Sequence, residues 1–420
     1  MDRLEQFLTF AEQAPTAFHA AACFRELLTK KGFRELKETD PWFVDAGGRY
    51  FAVRNDSALI AFEVPETGFS SFRIVAAHGD SPAFKLKECF EDRSGTYVRL
   101  NVEKYGGMIM STWLDRPLSV AGRLAVREGK GIGVRLVNLD RDAVLIPNLP
   151  IHFNRDVNNG YKYDPQADLL PLYGGAEASG CLMDEIAEAA HVKRGDILGH
   201  DLFLYNRERA SIWGQDDAFF SCGHIDDLEC AWAGMTALAE SDAKDMINVC
   251  AVFDNEEVGS STRQGADSSF LLDVLTRAGS AMGASDSEIR AAVAGSYMVS
   301  ADNAHALHPN HPEKYDAQNR VYMNKGVVIK HNADQKYTTD AVSSARFTLI
   351  CEQAGIPVQH FANRSDQPGG STLGNISNRH VSIETVDIGL AQLAMHSAYE
   401  TAGTKDLDYL AGALTALFQQ

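Results

Sequence analysis

No stretch of the 420-residue chain approaches the run of apolar residues needed to span a bilayer, so a membrane-crossing helix is not expected. Positive charge is scarce as well. Lys and Arg number 39 against 57 Asp and Glu, a net charge of −18, which argues against a nucleic-acid surface built from clustered bases. The seven cysteines (Cys23, Cys89, Cys181, Cys222, Cys230, Cys250 and Cys351) are odd in number, scattered and without a Cys-x-x-Cys pair. That excludes a zinc knuckle or a disulfide framework and suits a reducing compartment. The start, Met1-Asp2-Arg3-Leu4-Glu5, has no basic region followed by an apolar core, so no secretory signal is expected and the reading is cytoplasmic. With 45% apolar and 23% charged residues there is no case for disorder. The length exceeds what one core usually supports, and two domains are the default.

Residues 2–31 carry helical periodicity, followed by strand-like runs at 49–54, 58–63 and 72–77. Between 87 and 221 the texture changes to short alternating runs broken by Gly, Pro and Asn, with one helical stretch near 178–191. Helices and strands then alternate. Helices are predicted over 227–241, 267–281, 286–294, 339–354 and from about 396. Strands are predicted over 247–253, 296–301, 326–330 and 381–387. Such alternation implies a largely parallel sheet covered by helices on both faces. The expected fold is therefore α/β, with a mixed, largely parallel sheet interrupted by a β-rich insertion. The expected parts are 1–86, an insertion over 87–221, and 222–420.

The most informative segment is Asp254-Asn255-Glu256-Glu257-Val258-Gly259-Ser260, which follows the apolar run at 247–253. Ligands of open α/β sheets collect at the carboxyl ends of strands. There one carboxylate can hold a cation while its neighbour takes a proton from water. Other His, Asp and Glu residues occupy equivalent places: His78 and Asp80 after 72–77, Asp302 after 296–301, Asp226 before an apolar helix, and His396 after 381–387. Each has an ordinary role when taken singly. Asp226 suits a helix cap, Asp80 before Ser81-Pro82 a turn, and the Glu pair a solvated surface. Jointly they favour a mixed His/carboxylate metal site, with zinc the default and manganese or cobalt as alternatives. The set is too large for one open tetrahedral site and suits two ions sharing a bridging carboxylate. His305, His308 and His311 are evenly spaced, but Pro309 and Pro312 prevent a helix from presenting them together. His305 fits better as a neighbour that orients Asp302.

These stretches resemble the aspartyl aminopeptidases, a family of cytosolic dinuclear metallopeptidases, nearly end to end. The resemblance rests on Ala77-His78-Gly79-Asp80-Ser81-Pro82, Tyr105-Gly106-Gly107, the stretch Thr112 to Leu118 with Ala121-Gly122-Arg123, and Asp254 to Ser260. Further matches are Ser300 to Asn310, Gly370-Ser371-Thr372-Leu373-Gly374 and Ala394-Met395-His396-Ser397. It implies a phosphorylase/hydrolase-like metallopeptidase domain and a β-rich dimerisation or lid domain inserted in it. It also implies two divalent metal ions, one on His78, Asp226 and Asp302 and one on Asp226, Glu257 and His396, so that Asp226 bridges. Asp80 would orient His78, and Glu256 would be the general base. Lys330 would meet an acidic substrate side chain. His152, in the insertion, would reach a neighbouring subunit's active site within dimers that assemble into a tetrahedral dodecamer. Two positions depart from the family pattern: Gly79 stands where Thr is usual, and Asp227 where Asn is usual.

The expected function is removal of N-terminal Asp or Glu from peptides with a free N-terminus, with neither nucleic acid nor membrane as partner. The same chemistry with a broad or neutral preference is the first alternative. A non-catalytic assembly or cargo protein is the second, and it is disfavoured because every expected catalytic group is present.

Overall fold

The computed structural model describes residues 2–93 and 95–420. Contacts divide the chain into two compact units. The first comprises Met1–Asp80, Ser211–Met395 and Glu400–Gln420, and the second Ser81–Ala210 and His396–Tyr399.

The first unit is built on a nine-stranded sheet. Its order is Arg34–Glu35, Arg49–Arg54, Ala58–Glu63, Ile247–Phe253, Phe72–His78, Tyr297–Ala301, Glu384–Gly389, Val327–His331 and Val358–Ala362. The four central strands, Ile247–Phe253, Phe72–His78, Tyr297–Ala301 and Glu384–Gly389, all run parallel. Parallel strands are covered on both faces, which is why Ile247–Phe253 is buried throughout and apolar apart from Asn248. One face is filled by Phe62, Phe72, Ile74, Val249 and Phe253 with Phe270, Val274 and Leu275 of the helix Phe270–Ala281. The helix Ile225–Ala239 lies against the sheet, buried along almost its whole length. A Cβ on its Gly234 would come within 2.9 Å of Val75 Cγ1, so the glycine permits the close approach. Register aligns Phe253 with His78 and Ala301 with Ile388, so the carboxyl ends of the central strands lie level and their following loops meet.

Two expectations need correction. The strand expected at 381–387 runs from Glu384 to Gly389. No helix starts near 396: Ala394 and His396 adopt left-handed backbone, and Glu400–Gly403 pairs antiparallel with Phe219–Cys222. The last helix is Asp406–Phe418. The strand Glu400–Gly403 joins a smaller five-stranded sheet with Ser211–Trp213, Phe219–Cys222, Ala391–Leu393 and Ala304–His305. It is held between Phe219–Cys222, far away in sequence, and Ala391–Leu393, close by, and such pairing is not registered by local periodicity.

The second unit is a six-stranded antiparallel sheet ordered Gly131–Asn138, Leu118–Glu128, Ile197–Asn206, Ala83–Asp92, Tyr97–Tyr105 and Leu172–Gly175, with the helix Cys181–Ala189. Alternating residues Leu118, Val120, Leu124, Leu202 and Leu204 meet Phe84, Trp113 and Ile146 in its core. Residues 396–399 belong here. The Ile109 N–H donates to the His396 carbonyl at 3.0 Å, and the Ala398 N–H donates to the Thr112 hydroxyl at 2.9 Å. Among the described residues no helix is long and apolar enough to cross a membrane.

Candidate metal centre

His78 is the last residue of its strand and is buried. Its Nδ1 lies 3.0 Å from the Asp80 carbonyl oxygen and 3.4 Å from the Asp80 carboxylate. A carbonyl only accepts, so Nδ1 carries a proton toward it and Nε2 is the atom turned toward Asp226. Nε2 lies 3.6 Å from Asp226 Oδ1. The expected part of Asp80, steering His78, is joined by another. Its two carboxylate oxygens accept the backbone N–H groups of Glu256 and Glu257, at 3.1 and 3.2 Å. Asp80 thus sets the imidazole through its carbonyl and, through its carboxylate, the turn that carries the two glutamates. That turn is further fixed by Asn255, which adopts left-handed backbone while its side-chain oxygen accepts from Thr262 and Gln264.

Asp226 and Asp227 are not in helical conformation, so the regular helix begins after them and Asp226 is not an ordinary cap. The Asp226 N–H donates to Glu400 Oε2 at 3.0 Å. Asp227, a departure from the family pattern, is fully buried and accepts the His78 N–H at 3.1 Å, while its Oδ1 has no hydrogen-bond partner. Gly79 is held by its own N–H on the Phe253 carbonyl, at 2.9 Å, and a Cβ there would lie 3.3 Å from Val252 Cγ1. The missing side chain is therefore a matter of packing against Val252.

Asp302 is anchored by its N–H on the Ile388 carbonyl at 3.0 Å. Lys330 is buried rather than at the surface. Its ammonium donates to the carbonyls of Asp302 and Asn303, at 2.8 and 3.4 Å, and lies 3.7 Å from Asp302 Oδ2. Beside it runs a buried polar chain that the sequence did not disclose. Asn303 donates to Glu229 at 3.2 Å and Gln392 at 2.9 Å, and Gln392 reaches Glu400 at 3.5 Å. The chain connects the Asp302 loop to the Glu400 carboxylate that receives the Asp226 N–H. Glu229 alone offered a sequence signal, an acid inside an otherwise apolar helix.

His78, Asp226 and Asp302 each offer an atom within 4.8 Å of the others, and so do His78, Glu256 and Glu257. So many acids in one dry pocket repel. Burial, with Asp302 and Asp226 adding to it, pushes Asp227 well up against the opposing pull of His78. Burial also raises Asp302, with Lys330 opposing. Burial carries Glu256 up to about 8, and Asp302, Glu257 and Asp80 reinforce it. Burial by itself would depress His78, but Asp226 and Asp80 outweigh it and hold the ring well above its usual value. A divalent cation offsets this repulsion and takes the orphaned carboxylate charge. The imidazole-plus-carboxylate donors, without thiolate, fit zinc.

His305 is exposed in the strand Ala304–His305, its ring edge-on to Phe361 at 6.1 Å. His152 is exposed in a turn of the second unit, flanked by exposed Ile151 and Phe153. His396 is held in the second unit as described.

Imidazole and carboxylates gathered at the carboxyl edge of a parallel sheet define a metallohydrolase. The family model for the aminopeptidase I zinc metalloproteases (M18) matches residues 10–418, and the chain belongs to that family. It is 44% identical over 417 residues to a probable M18 family aminopeptidase 2 of Clostridium novyi (strain NT), covering 96% of this chain and 95% of that one. A protein of the same description in Pseudomonas aeruginosa (strain UCBPP-PA14) is 40% identical over 421 residues, covering 98% and 96%. Among solved structures, Ape4 in its complex with Nbr1 superposes with a TM-score of 0.96 at 33% identity, covering 99% of this chain and 85% of that one. The S. cerevisiae mApe1 dodecamer gives 0.88 at 27%, covering 99% and 96%. The protein is thus a zinc-dependent aminopeptidase.

The double duty of Asp80 is testable. An amide offers a single accepting oxygen, so in Asp80→Asn one of the two glutamate N–H groups faces another donor. Activity should fall about 10–100-fold with the fold retained, as measured by peptide hydrolysis beside circular dichroism. Unchanged activity would remove Asp80 from the site.

Proposed function

We propose that the chain removes N-terminal Asp and Glu from peptides, using a pair of divalent cations held by His78, Asp226 and Asp302 and by Asp226, Glu257 and His396. The observation that carries the reading is the convergence of His78, Asp226 and Asp302 within 4.8 Å, with Glu256 beside them on a turn set by Asp80. When bound, the cations supply Lewis acidity toward the scissile carbonyl and the attacking water. Glu256 takes the proton of that water and returns it to the departing amine, acting as base and then as acid. Asp227 adds a carboxylate beside the bridging Asp226 and strengthens the hold on the metal.

Lys330 supports the acidic preference. Two of its three donors are engaged by the carbonyls of Asp302 and Asn303, and the third would serve the carboxylate of the peptide's first residue. In a chain of net charge −18, an acidic substrate needs such a local cation. The β-rich second unit is the dimerisation module. Its exposed Ile151, His152 and Phe153 suit insertion into a neighbouring subunit, where His152 donates to the developing oxyanion. Assembly follows the pattern of the mApe1 dodecamer, with cytoplasmic peptides as substrates.

Glu256→Gln keeps the shape of the side chain and removes its proton acceptor. Turnover should drop by about 10²–10⁴-fold while elemental analysis finds the zinc content of the wild type. Loss of zinc would make Glu256 a ligand instead. A panel of peptides beginning with Asp, Glu, Leu or Lys tests the preference. Asp and Glu should lead in kcat/KM by about tenfold or more, and equal rates would establish the broad or neutral alternative.

A further inference from the structure

The segment Gly370-Ser371-Thr372-Leu373-Gly374 holds no metal ligand, yet it has a dedicated partner. Asp387 lies within the strand Glu384–Gly389 and is fully buried. One of its oxygens accepts the Thr372 hydroxyl at 2.6 Å. The other accepts both the N–H and the hydroxyl of Thr338, the latter at 2.6 Å. Its own N–H donates to the Thr339 hydroxyl at 2.9 Å. A Cβ on Gly374 would stand 3.0 Å from the same carboxylate and 2.9 Å from the Ser300 hydroxyl, so the glycine lets the segment close onto Asp387. A carboxylate with this many short donors is a rigid clamp, since bonds to an ionised acceptor are about twice as strong as neutral ones.

The loop that the clamp holds at Thr338 also carries Tyr337, which meets Lys330. The Lys330 ammonium that binds Asp302 lies over the Tyr337 ring, 5.1 Å from its centroid. The Tyr337 hydroxyl in turn lies 4.0 Å from the place of a Cβ on Gly370. Contacts therefore run from Asp302 through Lys330 to Tyr337, whose hydroxyl is the nearest group to the vacant side-chain position of Gly370. Asp387 fixes both loops at the far end of that run, one at Thr338 and the other at Thr372.

We propose that Asp387, acting through Thr338 and Thr372, is a positioning residue that holds the loop at 370–372 as the wall of the subsite receiving the acidic side chain of the peptide's first residue. This rests on Lys330 being the cation of that subsite. The wall is a matter of binding, so its loosening appears in KM, whereas a general loss of structure lowers kcat and metal content together.

Thr372→Val keeps the side-chain shape and removes the bond to Asp387, while Thr372→Ser keeps the bond. With the zinc-loaded full chain and a peptide beginning with Asp, Thr372→Val should raise KM about tenfold. Its kcat should stay within about twofold and its zinc content unchanged, and Thr372→Ser should restore KM. An unchanged KM, or a fall in kcat that parallels lost zinc, would overturn the proposal. A peptide beginning with Leu separates the two claims. Wild type that handles both peptides alike rejects Lys330 as the acid-binding cation, and the KM of Thr372→Val on either peptide still decides the positioning role.

Discussion

Much of this structure answers to one electrostatic constraint: several carboxylates and an imidazole are brought out of water into a single pocket. Asp226, Asp227 and Asp302 are buried around His78, with Glu256 and Glu257 beside them. Taking unpaired charge out of water is expensive, and within the pocket like charges add to that cost. The fold offsets part of it with backbone donors. Asp80 takes two N–H groups from the glutamate turn, Asp227 takes the His78 N–H, and Lys330 bridges the Asp302 loop. What remains is a concentration of negative charge matched to divalent cations, as a zinc metalloprotease requires.

The architecture explains how residues so far apart in sequence reach one place. Four adjacent parallel strands end level with one another, and three of the loops that follow deliver His78, the glutamate turn and Asp302. Asp226 arrives from the start of a buried helix and is tied through Glu400, Gln392 and Asn303 to the Asp302 loop.

The sheet, and the residues His78, Asp226, Asp302, Glu256 and Glu257 that the fold brings together, were legible in the sequence because both follow from local chemistry. The runs at 72–77 and 247–253 are apolar apart from Arg73 and Asn248, as buried parallel strands demand, and acids placed just beyond them read as ligands. What escaped depends on distant partners. Glu400–Gly403 is a strand because Phe219–Cys222 and Ala391–Leu393 lie alongside it, where a helix was expected. Lys330, at the end of an apolar strand, has a surface role and a buried one that look alike in sequence, and its placement on the Asp302 carbonyl decides between them. Asp387 left a faint signal, a single acid in Val386-Asp387-Ile388, but its purpose emerges only with Thr338 and Thr372 beside it. The segments Tyr105-Gly106-Gly107 and Thr112-Trp113 were legible only as matches. The backbone bonds from Ile109 and to Thr112 show that this stretch seats residues 396–399 in the second unit.

The central claim is that the buried acids are arranged for a pair of cations. Its most direct test is the number of zinc ions retained by each fully active chain after exhaustive dialysis against metal-free buffer, counted by elemental analysis. The account predicts two per chain. A fully active chain that retains one, or none, would contradict it.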